Sequence, residues 1–406
     1  MRVLAAHNFY QADGGEDVVF KNESSLLESR GHTVITYMDH NDRIREMGAL
    51  TLGATTIWNR RTVASLRSLI ERERPEIAHF HNTFPLISPS AYYACKRAGV
   101  PVVQTLHNYR LLCPTATLFR DGSPCEECLD RSLWRGVKHG CYRDSRSATA
   151  GVAAMLSFHR FRNTWRDGVE CFIALTHFSK NKFVQAGFPE KKIEVKPNFV
   201  NPDPGCRTQS GGYALFVGRL SQEKGASTLL SAWRNLASQV PLRIVGEGPL
   251  RSNLEQLARQ HRLSCVRFEG RLSHEDSILA IKGASFLIFP SRCWETFGMV
   301  AIEAFACGTP VIASRLGAAA EIVRDGHTGL HFTPGDAQDL AVKVEWAIEH
   351  TREMEQMGRN ARSEYETKYT AERNYEMLMQ IYHNAINSHQ GQQIPRHAVD
   401  PLVVGS

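Results

Sequence analysis

FLIFPSRCWETFGMVAIEAFACGTP, residues Phe286–Pro310, joins an apolar strand to an apolar helix through a polar loop. The run Phe286 to Phe289 stops at Pro290 and reads as the strand. Met299 to Cys307 is apolar except for Glu303, and Gly308 with Pro310 supplies the stop that ends a helix. A strand, loop and helix in this order fit an open α/β sheet. Glu295 then falls in the loop beyond the strand's carboxyl end, where such sheets bind ligands. Glu303 sits on an otherwise buried helix, and a carboxylate there is costly unless hydrogen-bond donors satisfy it. Ribose hydroxyls are such donors, and a hexose hydroxyl suits Glu295, so the pair describes a sugar-nucleotide site. On the glutamates alone a structural alternative stands, in which Glu295 caps the helix and Glu303 pairs with a nearby Arg.

The chain has 406 residues and 42% hydrophobic content, enough for two domains of about 150 to 200 residues each. It contains no apolar run of transmembrane length, and Met1-Arg2 leads straight into the strand Val3 to Ala6 without a signal-peptide pattern, so a cytoplasmic protein is expected. The ten cysteines form no secreted, disulfide-dense framework and read as reduced thiols or metal ligands. A net charge of +6 is too small to argue for nucleic-acid binding. The charge is uneven, however. From Arg131 to Arg166 there are eight Lys or Arg and one acid, Asp144, a local charge of +7. Within it, Ala148 to Arg162 has the pattern of a basic amphipathic helix. Such a helix lies on an anionic membrane surface or packs on its own domain with its arginines in water.

Strand and helix patterns alternate from end to end, which predicts parallel sheets with helices on both faces. The first series has strands at Arg2 to Ala6, Thr33 to Tyr37, Ile77 to Phe80, Pro101 to Leu106, Cys171 to Ala174 and Lys192 to Lys196, with a helix near Glu16 to Ser29. Pro, Gly and Ser then accumulate, and residues 201–212 read as a linker between an N-terminal domain, 1–200, and a second domain, 213–370. The second series has strands at Tyr213 to Val217, Leu242 to Val245, Val266 to Glu269, Phe286 to Phe289 and Val311 to Ala313. Its last helices run from Ala337 to Asn387, the final one, 371–387, turning back toward the N-terminal domain. The polar stretch Ser388 to Ser406, with two prolines, reads as a disordered tail. Two such domains enclose a cleft between two sets of strand ends, which suits a ligand with two parts.

In Phe216 to Gly225 a strand ends in Gly218, and Arg219 and Lys224 follow in the loop before a helix. Arg219 can grip phosphate oxygens bidentately, Lys224 adds a point charge, and helix-start N–H groups add the dipole. Two solvated surface cations are the alternative for this loop by itself. Val245-Gly246-Glu247-Gly248-Pro249-Leu250 is a second strand-to-helix turn whose glycines let backbone approach a ligand, though it lacks the third glycine of a dinucleotide fingerprint. Asp13-Gly14-Gly15-Glu16-Asp17 is a glycine loop after the first strand, opening a helix.

Taken together, Gly-Arg-Leu then Glu-Lys-Gly, Gly-Glu-Gly-Pro-Leu, Phe268-Glu269-Gly270, Pro290-Ser291, and the two glutamates eight apart resemble the family 4 glycosyltransferases, also called group 1. The likeness covers nearly the whole chain. It implies the GT-B fold, two Rossmann-like doubly wound α/β domains facing each other across a cleft, and a retaining transfer of a hexose from a UDP- or GDP-sugar to a glycan or lipid-linked glycan. In that family the positions of Arg219 and Lys224 hold the diphosphate, Glu295 touches the transferred sugar and Glu303 holds the ribose. Backbone at Phe297, Gly298 and Met299 binds sugar hydroxyls and phosphate, and Gly270 and Leu272 lie by the base. Gly14 and Gly15 close on the donor phosphates, and His107 stands beside the sugar's reactive centre. Phe199 departs from the family's usual Asn-Gly-Val at 198–200. The resemblance further implies that the leaving diphosphate accepts the acceptor's proton on the same face, with no protein nucleophile. No Asp-x-Asp occurs in the chain, in keeping with side-chain cations in place of a divalent metal. Bacterial surface polysaccharide assembly and a peripheral place on the inner face of the plasma membrane are further expectations from the family.

Cys113, Cys125, Cys128 and Cys141 fall in an insertion at about 110–145 that the family core does not explain. A Cys-x-x-Cys flanked by two thiols is a candidate tetrahedral zinc site, with ordinary reduced cysteines as the alternative. Other functions on the same architecture are a nucleotide-sugar epimerase or hydrolase, and a non-catalytic nucleotide-binding module. Residue types leave the sugar, the base, the acceptor and the oligomeric state open.

Overall fold

The computed structural model describes residues 1–11, 14–129, 132–208 and 211–393. Ala12 and Asp13 of the glycine loop, Arg131 at the start of the basic segment, residues 209–210 of the 201–212 stretch and the tail 394–406 lie outside them.

The first half runs β1 (Arg2–Phe9), α1 (Gly15–Ser29), β2 (Thr33–His40), α2 (Ala49–Ile57), α3 (Arg60–Glu73), β3 (Ile77–Asn82), α4 (Ala91–Arg97) and β4 (Val102–Thr105). A small hairpin, β5 (Phe119–Arg120) and β6 (Ser123–Pro124), precedes α5 (Trp134–His139), α6 (Arg146–Phe161), α7 (Thr164–Gly168), β7 (Cys171–Ala174), α8 (His177–Gln185) and β8 (Ile193–Val195). The second half runs β9 (Ala214–Val217), α9 (Ala226–Asn235), β10 (Leu242–Val245), α10 (Arg251–Gln260), β11 (Val266–Gly270), α11 (His274–Gly283), β12 (Phe286–Phe289) and α12 (Met299–Ala306). It continues with β13 (Val311–Ser314), α13 (Gly317–Ile322), β14 (Gly329–Phe332), α14 (Ala337–Glu349), α15 (Thr351–Lys368) and α16 (Ala371–Gln393).

The halves form two parallel sheets, in the orders β2-β1-β3-β4-β7-β8 and β11-β10-β9-β12-β13-β14. Helices cover both faces, so central strands such as β3 and β12 are buried along their whole length and read as continuous runs instead of alternating ones. Strand order reverses between β1 and β3 in one sheet and between β9 and β12 in the other. These switch points open the crevices where doubly wound sheets bind ligands. The α/β, two-sheet architecture read from the sequence is therefore what the chain adopts.

Several strand limits shift by a few residues, β1 for one reaching Phe9 instead of Ala6, and three further details differ from the sequence reading. β14 escapes it because it is short and opens on Gly329, which reads as a turn. A Cβ there would lie 1.9 Å from the Val311 carbonyl, so only glycine lets this edge strand pair with β13. The hairpin β5–β6 is too short to leave a periodic signal. The last helix continues through Gln393, past the expected end at Asn387, and His389 anchors its extension through a hydrogen bond with Glu170 at 2.8 Å.

α16 leaves the second half and packs Leu378, Ile381 and Tyr382 onto Val3, Ile77 and Val103 of the first sheet. Leu378 is fully buried. Leu378→Ala is expected to cost about 2–5 kcal/mol, the range for emptying a buried leucine site, read as a lower denaturant midpoint. An unchanged midpoint would mean that α16 is not held by this contact.

Candidate functional site

The second sheet's switch point brings together the loops after β9 and β12. Lys224 ends a 3₁₀ turn after β9, and its Nζ lies 2.6 Å from Oε1 of Glu295 in the loop after β12. Ser291 Oγ donates to the same oxygen at 2.5 Å. Burial pulls the Lys224 ammonium down, but the Glu295 carboxylate outweighs it and holds the lysine well above its usual range. The turn packs tightly enough that a Cβ on Gly225, at φ +76°, would lie 1.9 Å from the Pro290 carbonyl. Arg219 beside it is exposed, and among the described residues its guanidinium has no partner.

Glu303 lies one turn into α12, half-buried, with the His274 ring 3.9 Å away. Burial raises its carboxyl above the usual range, against a downward pull from His274. Among the described residues no arginine pairs with it and its carboxylate accepts no hydrogen bond. Nor does Glu295 cap α12, whose N-cap is Gly298 without a side-chain cap. Both glutamates are thus free of the structural roles that the sequence left open to them.

Phe297 is buried against Tyr369 at a ring distance of 6.2 Å, so only its backbone is left for a ligand. Met299 opens α12 and faces the glycine loop of the first half: a Cβ on Gly15 would lie 3.6 Å from its Cγ. Gly14 is the N-cap of α1. Gly270 ends β11 at φ +74° and accepts from the Gly246 amide at 2.7 Å, while Leu272 packs on the core beside it. The glycines of 245–250 do not open toward a ligand. A Cβ on Gly246 would meet the Gly218 carbonyl at 1.9 Å, so this turn is small in order to seat the β9 loop.

His107 follows β4 and stands at the boundary of the two halves. Its carbonyl accepts from Thr296 Oγ1 at 2.6 Å, Tyr109 donates to the Glu295 carbonyl at 3.3 Å, and Thr176 donates to the Thr296 carbonyl at 3.1 Å. Nearby, the amides of His177 and Phe178, at the start of α8, donate to Glu321 of α13 at 2.8 and 2.7 Å. The loop that carries Glu295 is therefore gripped from both halves. Lys224 thus pairs with Glu295, the next residue Thr296 bonds the His107 backbone, and Met299, one turn before Glu303, lies near Gly15.

Glu16, in the first turn of α1, accepts from Asn108 Nδ2 at 3.3 Å. Burial, reinforced by the charge of Asp17, raises its carboxyl to about 8 against the opposing pull of Arg110. Its carboxyl is therefore largely protonated near neutral pH. Asp17 turns inward to His7 at 2.6 Å.

The four-cysteine reading finds no support as a zinc site. Cys128 donates its thiol proton to Cys113, which lowers the pKa of Cys113 and raises that of Cys128. Yet no three of the sulfurs lie within 4.8 Å of one another, whereas bonds of about 2.3 Å to a tetrahedral zinc require sulfurs at about 3.8 Å. All ten cysteines are free thiols. The basic helix α6 turns Val152, Ala153, Met155 and Leu156 into its own domain, and Arg160 donates to the Leu111 carbonyl at 3.0 Å. Phe161 stays exposed. Among the described residues no helix is long and apolar enough to cross a membrane.

Sequence reading gave Ser291 no role of its own and missed Tyr109, Glu321 and a set of groups behind His107. Glu23 had a legible signal, because it falls on the stripe Val19, Phe20, Glu23, Leu26, Leu27 that α1 buries. His79 and His81, two apart in a fully buried strand, had another.

The Glycosyltransferase Family 4 model matches residues 13–204, and the Glycosyl transferases group 1 model matches residues 208–364. The chain is 32% identical over 389 residues to an uncharacterized glycosyltransferase of Methanocaldococcus jannaschii, across 94% of this chain and 98% of that one. It is 30% identical over 185 residues to O-antigen chain mannosyltransferase C of Escherichia coli, across 45% of this chain and 49% of the relative. Among solved structures, Anabaena HepE in complex with UDP superposes with a TM-score of 0.67 at 19% identity, across 94% of this chain and 99% of that one. At that identity the likeness speaks for the fold alone.

The raised carboxyl of Glu16 gives a pH signature. A carboxyl whose folded value of about 8 exceeds its unfolded value near 4.5 costs the folded state nothing below the lower value, and the cost grows as pH rises through the window between them. Glu16→Gln is therefore expected to raise the melting temperature relative to wild type above pH ~8 and to leave it nearly unchanged below pH ~5. An equal shift at both ends, or a loss at high pH, would contradict the raised value.

Proposed function

The chain belongs to the family 4, group 1 glycosyltransferases of GT-B fold, and on that premise we propose that it is a retaining, metal-independent hexosyltransferase using a UDP- or GDP-sugar. The observation that carries this reading is the Lys224–Glu295 pair at 2.6 Å across the switch point, with an unpartnered Arg219 beside it. A diphosphate entering there takes its charge compensation from Arg219 and Lys224. Its leaving oxygen departs from the anomeric carbon as the C–O bond breaks. The acceptor hydroxyl attacks on the same face and passes its proton to that oxygen, so configuration is retained. Glu295, held in place by Lys224 and Ser291, is placed to accept from a hexose hydroxyl, and the carboxylate of Glu303, which accepts no hydrogen bond among the described residues, is suited to ribose hydroxyls. Backbone of Phe297, Gly298 and Met299, with Gly14 and Gly15 opposite, lines the phosphates. Gly270 and Leu272 face the base, and His107 meets the sugar. The UDP in the HepE complex supports a nucleoside diphosphate as ligand.

The acceptor in this reading is a glycan or lipid-linked glycan of bacterial surface polysaccharide assembly, supported by the O-antigen relative. Residues 1–200 serve the acceptor and 213–370 the donor. The basic segment, with exposed Trp134 and Phe161 at 51% and 85%, suits peripheral contact with anionic lipid on the inner face of the plasma membrane. Cosedimentation with phosphatidylglycerol vesicles, weakened by Phe161→Asp, is the expected outcome. Equal retention on neutral vesicles would remove this contact.

Calorimetric titration with UDP and with GDP tests the donor site. One nucleotide is expected to bind, and Lys224→Ala to weaken it about 10–100-fold, the scale of a charged hydrogen bond of ~1.5–3 kcal/mol. Glu295→Ala is expected to abolish transfer while largely sparing nucleotide binding, and turnover is expected to persist in EDTA. Binding of neither nucleotide, or turnover lost in EDTA and restored by magnesium, would overturn the reading.

A further inference from the structure

Behind His107 runs a chain of buried polar groups that donor binding does not require. Glu23 comes from α1, His79 and His81 from β3, Lys196 from the residue after β8 and Tyr382 from α16, and all five are buried. Lys196 Nζ lies 2.8 Å from Glu23 Oε2. The other carboxylate oxygen faces His79 Nδ1 at 3.2 Å and His81 Nε2 at 3.4 Å. His81 Nδ1 in turn lies 3.0 Å from His107 Nε2. Glu23, His79 and His81 are also spaced closely enough to hold a metal ion. However, Lys196 already supplies the positive charge, and both His79 nitrogens are engaged, by Tyr382 and by Thr105 at 2.8 Å each. The cluster is a chain of close polar contacts: among the described residues Glu23 Oε1 accepts no hydrogen bond and acts on the two imidazoles through its charge, whereas His81 and His107 are hydrogen-bonded.

We propose that Glu23 is a positioning residue that, through His81, fixes the ring proton of His107 on Nε2 and so presents Nδ1 to the cleft as a hydrogen-bond acceptor. The proposal rests on His107 being a contact of the donor sugar.

The proton order follows from the charges. Burial by itself would raise the Glu23 carboxyl, and Lys196 with the two imidazoles more than reverses this, so Glu23 is an anion. A ring lone pair turned at a buried carboxylate would be repelled, so His81 carries its proton on Nε2. Burial and the neighbouring His79 pull His81 down to about 3, so the ring is neutral and Nδ1 is a lone pair. Only a donor is stable 3.0 Å from that lone pair, which assigns a proton to His107 Nε2. His107 is itself held neutral, by burial first and by His81 next. Its Nδ1 is then unprotonated, and among the described residues it makes no hydrogen bond. Such a ring accepts from a sugar hydroxyl. It holds no spare proton to hand to a leaving phosphate.

The test is nitrogen NMR on the full chain with ¹⁵N-labelled histidine, free of ligand and near neutral pH, with His107 assigned by the signals lost in His107→Gln. The expected spectrum has an unprotonated Nδ1 and a protonated Nε2. In Glu23→Gln the amide can turn either its oxygen or its nitrogen to His81, so His107 becomes a mixture of tautomers. There kcat is expected to fall about tenfold, the scale of one hydrogen bond, with KM for the donor nearly unchanged. Glu23→Asp, which keeps the anion, restores the wild-type tautomer. A protonated Nδ1 in the wild type overturns the proposal, as does a Glu23→Gln protein with an unchanged His107 spectrum. Because the spectrum is recorded without ligand, it reads the tautomer whether or not the donor assignment stands. If Glu23→Gln fails to fold, the wild-type spectrum and Glu23→Asp still decide it.

Discussion

Parallel pairing leaves the carboxyl ends of all strands in a sheet on one side, and that constraint organises the molecule. Loops at those ends cannot close as hairpins, since each chain must cross a helix before returning. Where strand order reverses, two such loops diverge and leave a crevice. The loops after β9 and β12 diverge at one of these points, and there Lys224 meets Glu295. A first sheet of the same kind brings the loops after β1 and β4 to the same place. The hydrogen bond from Thr296 to the His107 carbonyl and the closeness of Met299 to Gly15 bring the two crevices together.

Charge in the second-half crevice is unevenly matched. Lys224 and Glu295 pair with each other, whereas among the described residues Arg219 has no partner and Glu303 accepts no hydrogen bond. In the first half the opposite holds. Glu23, buried within the domain, is matched by Lys196 and by two imidazoles, because a carboxylate that water cannot reach must be met by protein groups or lose its charge. The same matching settles where the neighbouring ring protons lie. The helix α16 completes this interior by bringing the Tyr382 hydroxyl to His79 across more than three hundred residues of sequence.

Elements with a strong local signal were legible from composition and periodicity: β7, β10 and β12 have the limits read for them, and the central strands are apolar runs because both faces are covered. β14 was not legible, since four residues opening on a glycine carry no periodic signature, and its reason for existing is the Val311 backbone opposite. Glu295 and Glu303 were visible because a carboxylate on an apolar helix or beyond a strand end is costly without a partner. The bonds of the Ser291 and Thr296 hydroxyls were not, because a hydroxyl in a loop is ordinary until its partner's position is known. The glycines of 245–250 were legible as special, but their neighbour is the Gly218–Leu220 backbone.

The sequence by itself therefore determined the two α/β series, the cationic loop, the glutamate pair and, through their spacing, the family. These are properties of adjacent residues, and adjacency is what a sequence records. The tertiary structure decided which of them touch: that Lys224 pairs with Glu295, that Glu303 pairs with no arginine among the described residues, that the four thiols do not close around a common point, and that Glu23, His81 and His107 form one chain. Each of those depends on distances of 2.6 to 4.8 Å between groups tens or hundreds of residues apart. Such distances are fixed by how helices and strands pack, and residue type alone does not encode them.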